Sequence, residues 1–341
     1  MSLADFMLPQ ISTESVRLAD LAEISAPSRL FAGYDPHHEE LLIEGNLKSG
    51  VSELTAGNLA TPYKSNRNIQ FIESLPSTPK KFILWDMDDA RAFDSQVYSG
   101  KRLNVFQYNR RIGSRHAVLW RLRSYFEPSR GIGHGGWVDD ALQFEDKKPM
   151  VYWRGAISGS RWPDPFRRIG ALSMNAASNL EEMAQHYSRI KAVLLSKTSA
   201  AFDMKLTGPG DIRDKMPWLG ELGVVGDVVR PSQQLEHKYI LCLNGNDVAS
   251  NLYWVLPSQS VAFKEDCSYE VLPDFFLKPW VHYVPIASGL TDLKEKFDYC
   301  QANPGLCKTI IENANQAYTE MIDAITWNNA ELDVLDRLGL I

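Results

Sequence analysis

The sequence predicts an α/β protein of two domains, the second built on a doubly wound sheet. Three observations carry this. The chain has 341 residues, more than a single core usually organises. Its 44% hydrophobic and 23% charged content is that of a globular protein, with cores for both domains. Residues 239–263 read as strand, turn, helix and strand, the repeating unit of sheets whose ligands bind beyond the carboxyl ends of the strands.

The first 80 residues hold only short apolar patches. The first firm element is Lys81–Trp85, an apolar run ending in the acidic cluster Asp86-Met87-Asp88-Asp89, as expected of a buried strand that delivers carboxylates to its end. From Ser114 the spacing of Val118, Leu119, Leu122, Tyr125 and Phe126 predicts a helix that Pro128 stops. After GIGHGG at 131–136 and an acidic loop, Met150–Trp153 predicts another strand, so the domain boundary is placed near residue 145. Ser178 and Glu181 form a capping box for a helix buried through Leu180, Met183, Tyr187, Ile190 and Leu194. Further strands are expected at Val224-Val225, Tyr239–Leu243, Val261–Phe263 and Val281–Ile286, with a helix over Asp247–Leu256 between the second and third. One long helix should run from about Pro304 to Trp327.

Charge and cysteines narrow the function classes. Lys+Arg 36 against Asp+Glu 42 gives −6, which argues against general nucleic-acid binding. No apolar run approaches the roughly 20 residues that span a bilayer, and the first 20 residues carry acids where a leader would be basic and then apolar. A cytoplasmic protein is therefore expected, with at most peripheral contact at the inner face of a membrane. Cys242, Cys267, Cys300 and Cys307 show no CxxC spacing, so reduced thiols are expected, a Cys300–Cys307 bridge being the alternative.

Four constellations can carry chemistry. In Lys238–Asp266, the strand runs into Asn244-Gly245-Asn246-Asp247, residues that tolerate unusual backbone angles, with a helix expected at once after them. Unpaired N–H groups at such a helix start suit a diphosphate without any metal, and Asn251 adds a side-chain donor. The same turn in a protein that binds nothing is a plain connection with Asp247 as N-cap. In YWRGAISGSR, a strand ends in Arg154 and Gly155 and a loop follows with Ser158 and Arg161: a planar fork for phosphate oxygens beside a backbone open to close approach. A surface Arg beside a turn is the rival.

The acids at 86–89 suit a general base for a sugar hydroxyl, an aspartyl-phosphate nucleophile at Asp86, a DxD metal site, or a solvated turn. Against the nucleophile, Asp89-Ala90 stands where that motif expects Thr or Val. Glu265, Asp266 and Glu270, just past a strand, are placed to accept hydrogen bonds from ribose or sugar hydroxyls, while Trp280, His282 and Tyr283 read as core. No GxSxG, Walker loop, GxGxxG or metal-spaced His/Cys cluster is present.

Taken in order, WRG with its Arg-bearing loop, KYILCLNGNDVASN, SVAFKED, YE and LKPWVHYVPI resemble glycosyltransferase family 90, which includes bacterial lipopolysaccharide core glycosyltransferases, protein O-glucosyltransferases and capsule xylosyltransferases. The likeness covers roughly residues 80–300. It implies a GT-B architecture of two Rossmann-like domains facing across a cleft: 1–145 on the acceptor side with the catalytic acid, 146–303 binding the nucleotide sugar, and helices of 304–341 packing across both. It implies inverting transfer of a hexose or pentose from a UDP-sugar to a glycan hydroxyl, without metal or other cofactor, in lipopolysaccharide or other surface polysaccharide synthesis. Asp88 falls where the family's base lies, with Asp86 and Asp89 as alternates because its flank differs from the eukaryotic pattern. Arg154, Gly155, Ser158 and Arg161 fall on one donor loop, and Gly245, Asn246, Asp247 and Asn251 on the other. Where the eukaryotic enzymes carry an Arg facing the diphosphate, this chain has Asn251. A phosphatase using Asp86 and a non-catalytic nucleotide-sugar or carbohydrate binder are the other readings.

Overall fold

The computed structural model describes residues 1–17, 20–21, 31–43, 46–48, 65–89, 97–98, 101–122, 140–157, 159–160, 168–169, 180–208 and 217–341. The chain is a mixed α/β protein of two compact units, one formed by Met1–Glu127, Tyr269–Phe276 and Ile322–Ile341, the other by Pro128–Ser268 and Leu277–Met321. The expected boundary near 145 compares with a first division at Glu127/Pro128, and the expected element 304–341 divides between Met321 and Ile322.

The first unit contains strands β1 (Phe31–Asp35), β2 (Glu40–Ile43), β3 (Asn46–Lys48), β4 (Ile83–Asp86), β5 (Val97–Tyr98), β6 (Lys101–Arg102), β7 (Val105–Gln107), β8 (Asn109–Arg111) and β9 (Ala117–Leu119). Its main sheet has the order β3-β2-β1-β4-β7-β9. The β3-β2-β1-β4 side is antiparallel, and β4, β7 and β9 run parallel. Every residue of β4, β7 and β9 is buried, which is why they are apolar apart from Asp86 and Gln107 at the ends of β4 and β7. The helix expected from Ser114 is corrected here: Ala117–Leu119 is a strand, residues 123–126 lying outside those described. Ala117, Val118, Leu119 and Trp120 are all fully buried beside β7, and a continuous run of that kind satisfies strand and helix spacing alike.

Helix Ser65–Ser74 covers these parallel strands. Phe71 meets Trp85 at 5.0 Å and Phe106 at 5.5 Å, and Phe106 meets Trp120 edge-on at 5.1 Å. The two indole N–H groups are satisfied by the same helix, donating to Asn68 Oδ1 and Ser74 Oγ, so neither buried indole lacks an acceptor.

The second unit contributes β10 (Lys148–Gly155), β11 (Gly159–Ser160), β12 (Arg168–Ile169), β13 (Phe202–Leu206), β14 (His237–Cys242) and β15 (Val261–Glu265). The chain then supplies β16 (Tyr269–Val271) to the first unit, antiparallel to β8, and returns for β17 (Val284–Ile286). The sheet β13-β10-β14-β15-β17 is parallel throughout. Val151, Trp153, Met204, Leu206, Tyr239, Leu241 and Phe263 are buried at alternate strand positions, and their cluster includes Ile190, Val193, Phe297, Ile310 and Ile311 from the helices. Lys147, fully enclosed, pairs with Asp140 at 2.6 Å and donates to Ser260 Oγ at 2.9 Å, which ties the start of β10 to the start of β15.

Two of the predicted helices are subdivided. Residues 180–196 form Leu180–Ala184 and Ser188–Ser196, Ser178 lying outside the described residues. The long C-terminal helix breaks into Pro304–Met321 and Ala324–Arg337, the second capped by Asp323, whose carboxylate accepts the Thr326 N–H at 2.8 Å. Val224-Val225 forms only a bridge from Val225 to Leu206. All four cysteines are free thiols. Among the described residues no helix is long and apolar enough to cross a membrane.

Candidate functional site

Numbered by appearance, the strands of the parallel sheet lie in the order 2-1-3-4-5. In that arrangement the connections leave the first and third strands in opposite directions, and a crevice opens at their carboxyl ends. Here those strands are β10 and β14. β10 ends in Gly155 and the segment after it carries Ala156 and Gly159, while the segment after β14 carries Leu243, Asn244 and Gly245. The sequence-predicted loops therefore converge on one topological switch point.

Arg189, at the start of helix Ser188–Ser196, bridges the two. Its guanidinium donates to the carbonyls of Ala156 at 2.8 Å and Asn244 at 3.1 Å, and approaches that of Leu243 at 3.5 Å. A Cβ on Gly245 would meet Arg189 Nη2 at 3.2 Å, and one on Gly159 would lie 3.7 Å from Arg189 Cδ and from the carbonyls of Asn244 and Gly245. The guanidinium also faces the Trp153 ring at 5.7 Å. Desolvation pushes its pKa down to about 10, with Glu265 and Asp247 opposing, so it stays a cation at neutral pH.

Glu265 ends β15 and is buried. Its carboxylate accepts the N–H groups of Asn244 at 3.1 Å and Gly289 at 3.4 Å and the Ser188 hydroxyl. Burial raises its pKa, against these hydrogen bonds and Arg189. Asp266 is exposed at the same edge, and its carbonyl accepts the Asn244 side-chain amide at 2.7 Å. Glu265 thus ties the ends of three strands to the helix that carries Arg189.

The turn itself departs from the expectation of a helix beginning after Asp247. Residues 247–250 are not helical, and the only helical turn is Leu252–Val255. The segment folds back because Asn251 Nδ2 donates to the Leu241 carbonyl at 2.9 Å and Gly245 N to the Val248 carbonyl at 3.4 Å. Asp247 is buried and accepts the N–H of Val248, the residue next to it, at 2.7 Å, so it caps no helix. The Asn251 amide thus anchors the turn to β14, and Asn246 stands half-buried on the turn.

Arg154 is also placed differently. Its guanidinium lies over the Tyr152 ring at 4.1 Å and forks onto Asp203 at 2.8 and 2.9 Å. It also donates to the carbonyls of Trp153 and Asp203 at 2.9 Å. Asp203 pairs with Tyr152 across the sheet, so the side chain turns back along the strands, away from their carboxyl ends. Gly155 is needed for packing: a Cβ there would meet the Trp153 ring at 2.5 Å. Ser158 and Arg161 lie outside the described residues. Glu270 belongs to the first unit, on β16, where it pairs with Arg110 at 2.7 Å. The structure therefore brings together Gly155, the Gly245–Asn251 turn, Glu265 and Asp266, and assigns Arg154 and Glu270 to other partners. Arg189, Ser188 and Asp203 are missed by sequence reasoning, since nothing within the helical pattern marks an Arg whose partners lie 33 and 55 residues away.

In the first unit the acidic cluster follows β4. Asp86 is fully buried, and its carboxylate accepts the Asp88 N–H at 3.2 Å. Asp89 pairs with Arg67 at 2.7 Å and accepts the Tyr108 hydroxyl at 2.8 Å. Asp88 is half-buried; its carboxylate accepts the Asp89 N–H at 2.8 Å and its carbonyl the Asn109 amide at 3.1 Å. Among the described residues no group of three or more His, Cys, Asp or Glu side chains is arranged to hold a metal ion.

The chain is similar to O-glucosyltransferase LpsA of Dichelobacter nodosus, 38% identical over 202 residues that cover 59% of this chain and 50% of that protein. It is 29% identical to protein O-glucosyltransferase 3 of Homo sapiens over 156 residues, 46% of this chain and 29% of the other. The chain thus spans half or less of the length of these curated relatives. Among solved structures, a glycosyltransferase from Rickettsia africae ESF-5 has a TM-score of 0.35 at 11% identity, covering 70% of this chain and 64% of that one. The pattern of glycosyl transferase family 90 matches residues 138–324, more than half of the sequence and the whole of the parallel sheet with its switch point. The chain belongs to glycosyltransferase family 90.

Proposed function

We propose that the chain is an inverting, metal-independent glycosyltransferase that moves a hexose or pentose from a UDP-sugar to a hydroxyl of a glycan acceptor, in lipopolysaccharide or other surface polysaccharide synthesis. The observation that carries this reading is the convergence of the segments after β10 and β14 on the switch point of a parallel sheet, with the cation Arg189 against both. Membership of family 90 supports sugar transfer, and the names of the relatives support a glycosyl acceptor hydroxyl. The GT-B arrangement, with the donor on the second unit, and the cytoplasmic location belong to the same proposal.

In the proposed reaction a carboxylate takes the proton of the acceptor hydroxyl, the oxygen attacks the anomeric carbon, and the bond from that carbon to the diphosphate breaks with inversion. Asp88 is the base that the geometry favours. Asp86 is fully enclosed and Asp89 is held in an ion pair, whereas Asp88 is partly exposed. The same enclosure argues against a phosphatase using Asp86, whose carboxylate a phosphoester would have to reach. Backbone N–H groups of the Gly245 turn, Arg161 and the charge of Arg189 would stabilise the departing diphosphate.

Asp88→Asn is expected to lower transfer about 10²- to 10⁴-fold, the usual contribution of a general base, with UDP binding retained. A wild-type rate in Asp88→Asn, with loss in Asp86→Asn, would move the assignment. Melting temperature with UDP tests the donor site itself, since a ligand of the folded state stabilises it by mass action. A protein that no nucleoside diphosphate stabilises is no UDP-sugar transferase.

A further inference from the structure

We infer that Arg189 is a positioning residue of the donor site: it sets the spacing of the two loops through their backbone carbonyls. The inference rests on the donor reading above and deepens it by naming the element that holds the site open to its ligand.

A guanidinium is planar and rigid and offers several donors in fixed directions. In Arg189 these directions are spent on carbonyl oxygens of two separate loops, Ala156 after β10 and Asn244 after β14. The contacts on either side leave little slack. Gly245 approaches so closely that a methyl group there would lie 3.2 Å from Nη2, and Gly159 packs against the Arg189 stem and the carbonyls of Asn244 and Gly245 together. Below, Ser188 is bonded to Glu265, which also holds the Asn244 N–H. The residue pair 188–189 thus fixes Asn244 at both ends, its N–H through Glu265 and its carbonyl through Arg189. The peptide groups that follow Ala156 and Asn244 acquire their orientation from this clamp, and those are the groups a diphosphate at the switch point would meet.

The role predicts that geometry matters more than charge. Lysine keeps the cation but is a single point donor and cannot span two carbonyls in fixed directions. In Arg189→Lys the donor KM and the Kd of UDP should rise about 10- to 100-fold, the order expected when a site shifts by about 1 Å, while kcat at saturating donor falls less. Arg189→Met, of similar bulk and uncharged, should lose at least as much. Amide exchange of the free protein supplies a readout independent of nucleotide: peptides over 153–160 and 243–248 should exchange faster together in Arg189→Lys, with β13 and β15 unchanged. Wild-type UDP affinity in Arg189→Lys, or loss in Met that Lys fully restores, would overturn the clamp, the second by showing that charge alone suffices. Unchanged exchange in both peptides would overturn it as well. A wild-type protein that binds no nucleoside diphosphate would instead sink the donor reading, and exchange would still decide whether Arg189 couples the loops.

Discussion

Two strands of this protein end in neighbouring acids, β4 at Asp86 with Asp88 and Asp89 after it and β15 at Glu265-Asp266, and the carboxylates of Asp88 and Glu265 are held differently. Glu265 takes hydrogen bonds from groups 21, 24 and 77 residues distant, so removing it releases two loops and a helix start at once. The Asp88 carboxylate accepts the N–H of the next residue, a bond within its own turn. A half-buried acid whose bond lies within its own turn can be changed at less cost than one that gathers three segments. That is the property wanted in a group that must give and take a proton, whereas the acid gathering distant segments is scaffold.

The comparison breaks most visibly on activity. Asp88→Asn should cost activity by the two to four orders of magnitude given above and shift the melting temperature little; a large loss of stability would make Asp88 scaffold too. Glu265→Ala should behave conversely, losing roughly 2–4 kcal/mol because the half-buried Asn244 and Gly289 N–H groups and the buried Ser188 hydroxyl lose their acceptor, as read from urea unfolding. Asn251→Ala, which frees only the Leu241 carbonyl from its side-chain donor, should cost about 1 kcal/mol.

The smallest effect is in pH. Burial lowers the pKa of His237, whose ring stacks on Tyr152 at 4.0 Å. Below its ordinary value of 6.5 the unfolded chain binds a proton that the folded chain resists, so stability is lost as pH falls. His237→Phe keeps the stack and should flatten the decline in melting temperature between about pH 7 and 5.5.

Much of this was legible in residue order. The apolar runs at β4, β10, β14, β15 and β17 read as strands because buried parallel strands have no polar face, and the Gly and Asn residues after β10 and β14 mark those two segments in the sequence. The helix expected after Asp247 was not there: Asn, Gly and Asp permit a helix start and an irregular turn equally, and the choice was made by Asn251 reaching back to Leu241. Arg154 looked available because its partner, Asp203, lies 49 residues on. Arg189 was invisible for the same reason. Pairings over such separations are decided by strand register, and residue type alone does not encode it.

The route of the chain has a consequence for how the protein can be divided. It passes between the two units at Glu127/Pro128, Ser268/Tyr269, Phe276/Leu277 and Met321/Ile322. No single cut yields either unit whole: a fragment ending at Met321 strips the first unit of Trp327 and of Glu331, the buried partner of Arg121, and any fragment holding the parallel sheet carries β16 with it. A chimera that exchanges the sheet bearing the switch point between relatives must therefore join at all four positions, grafting two separate stretches while the short insert 269–276 stays with its own unit.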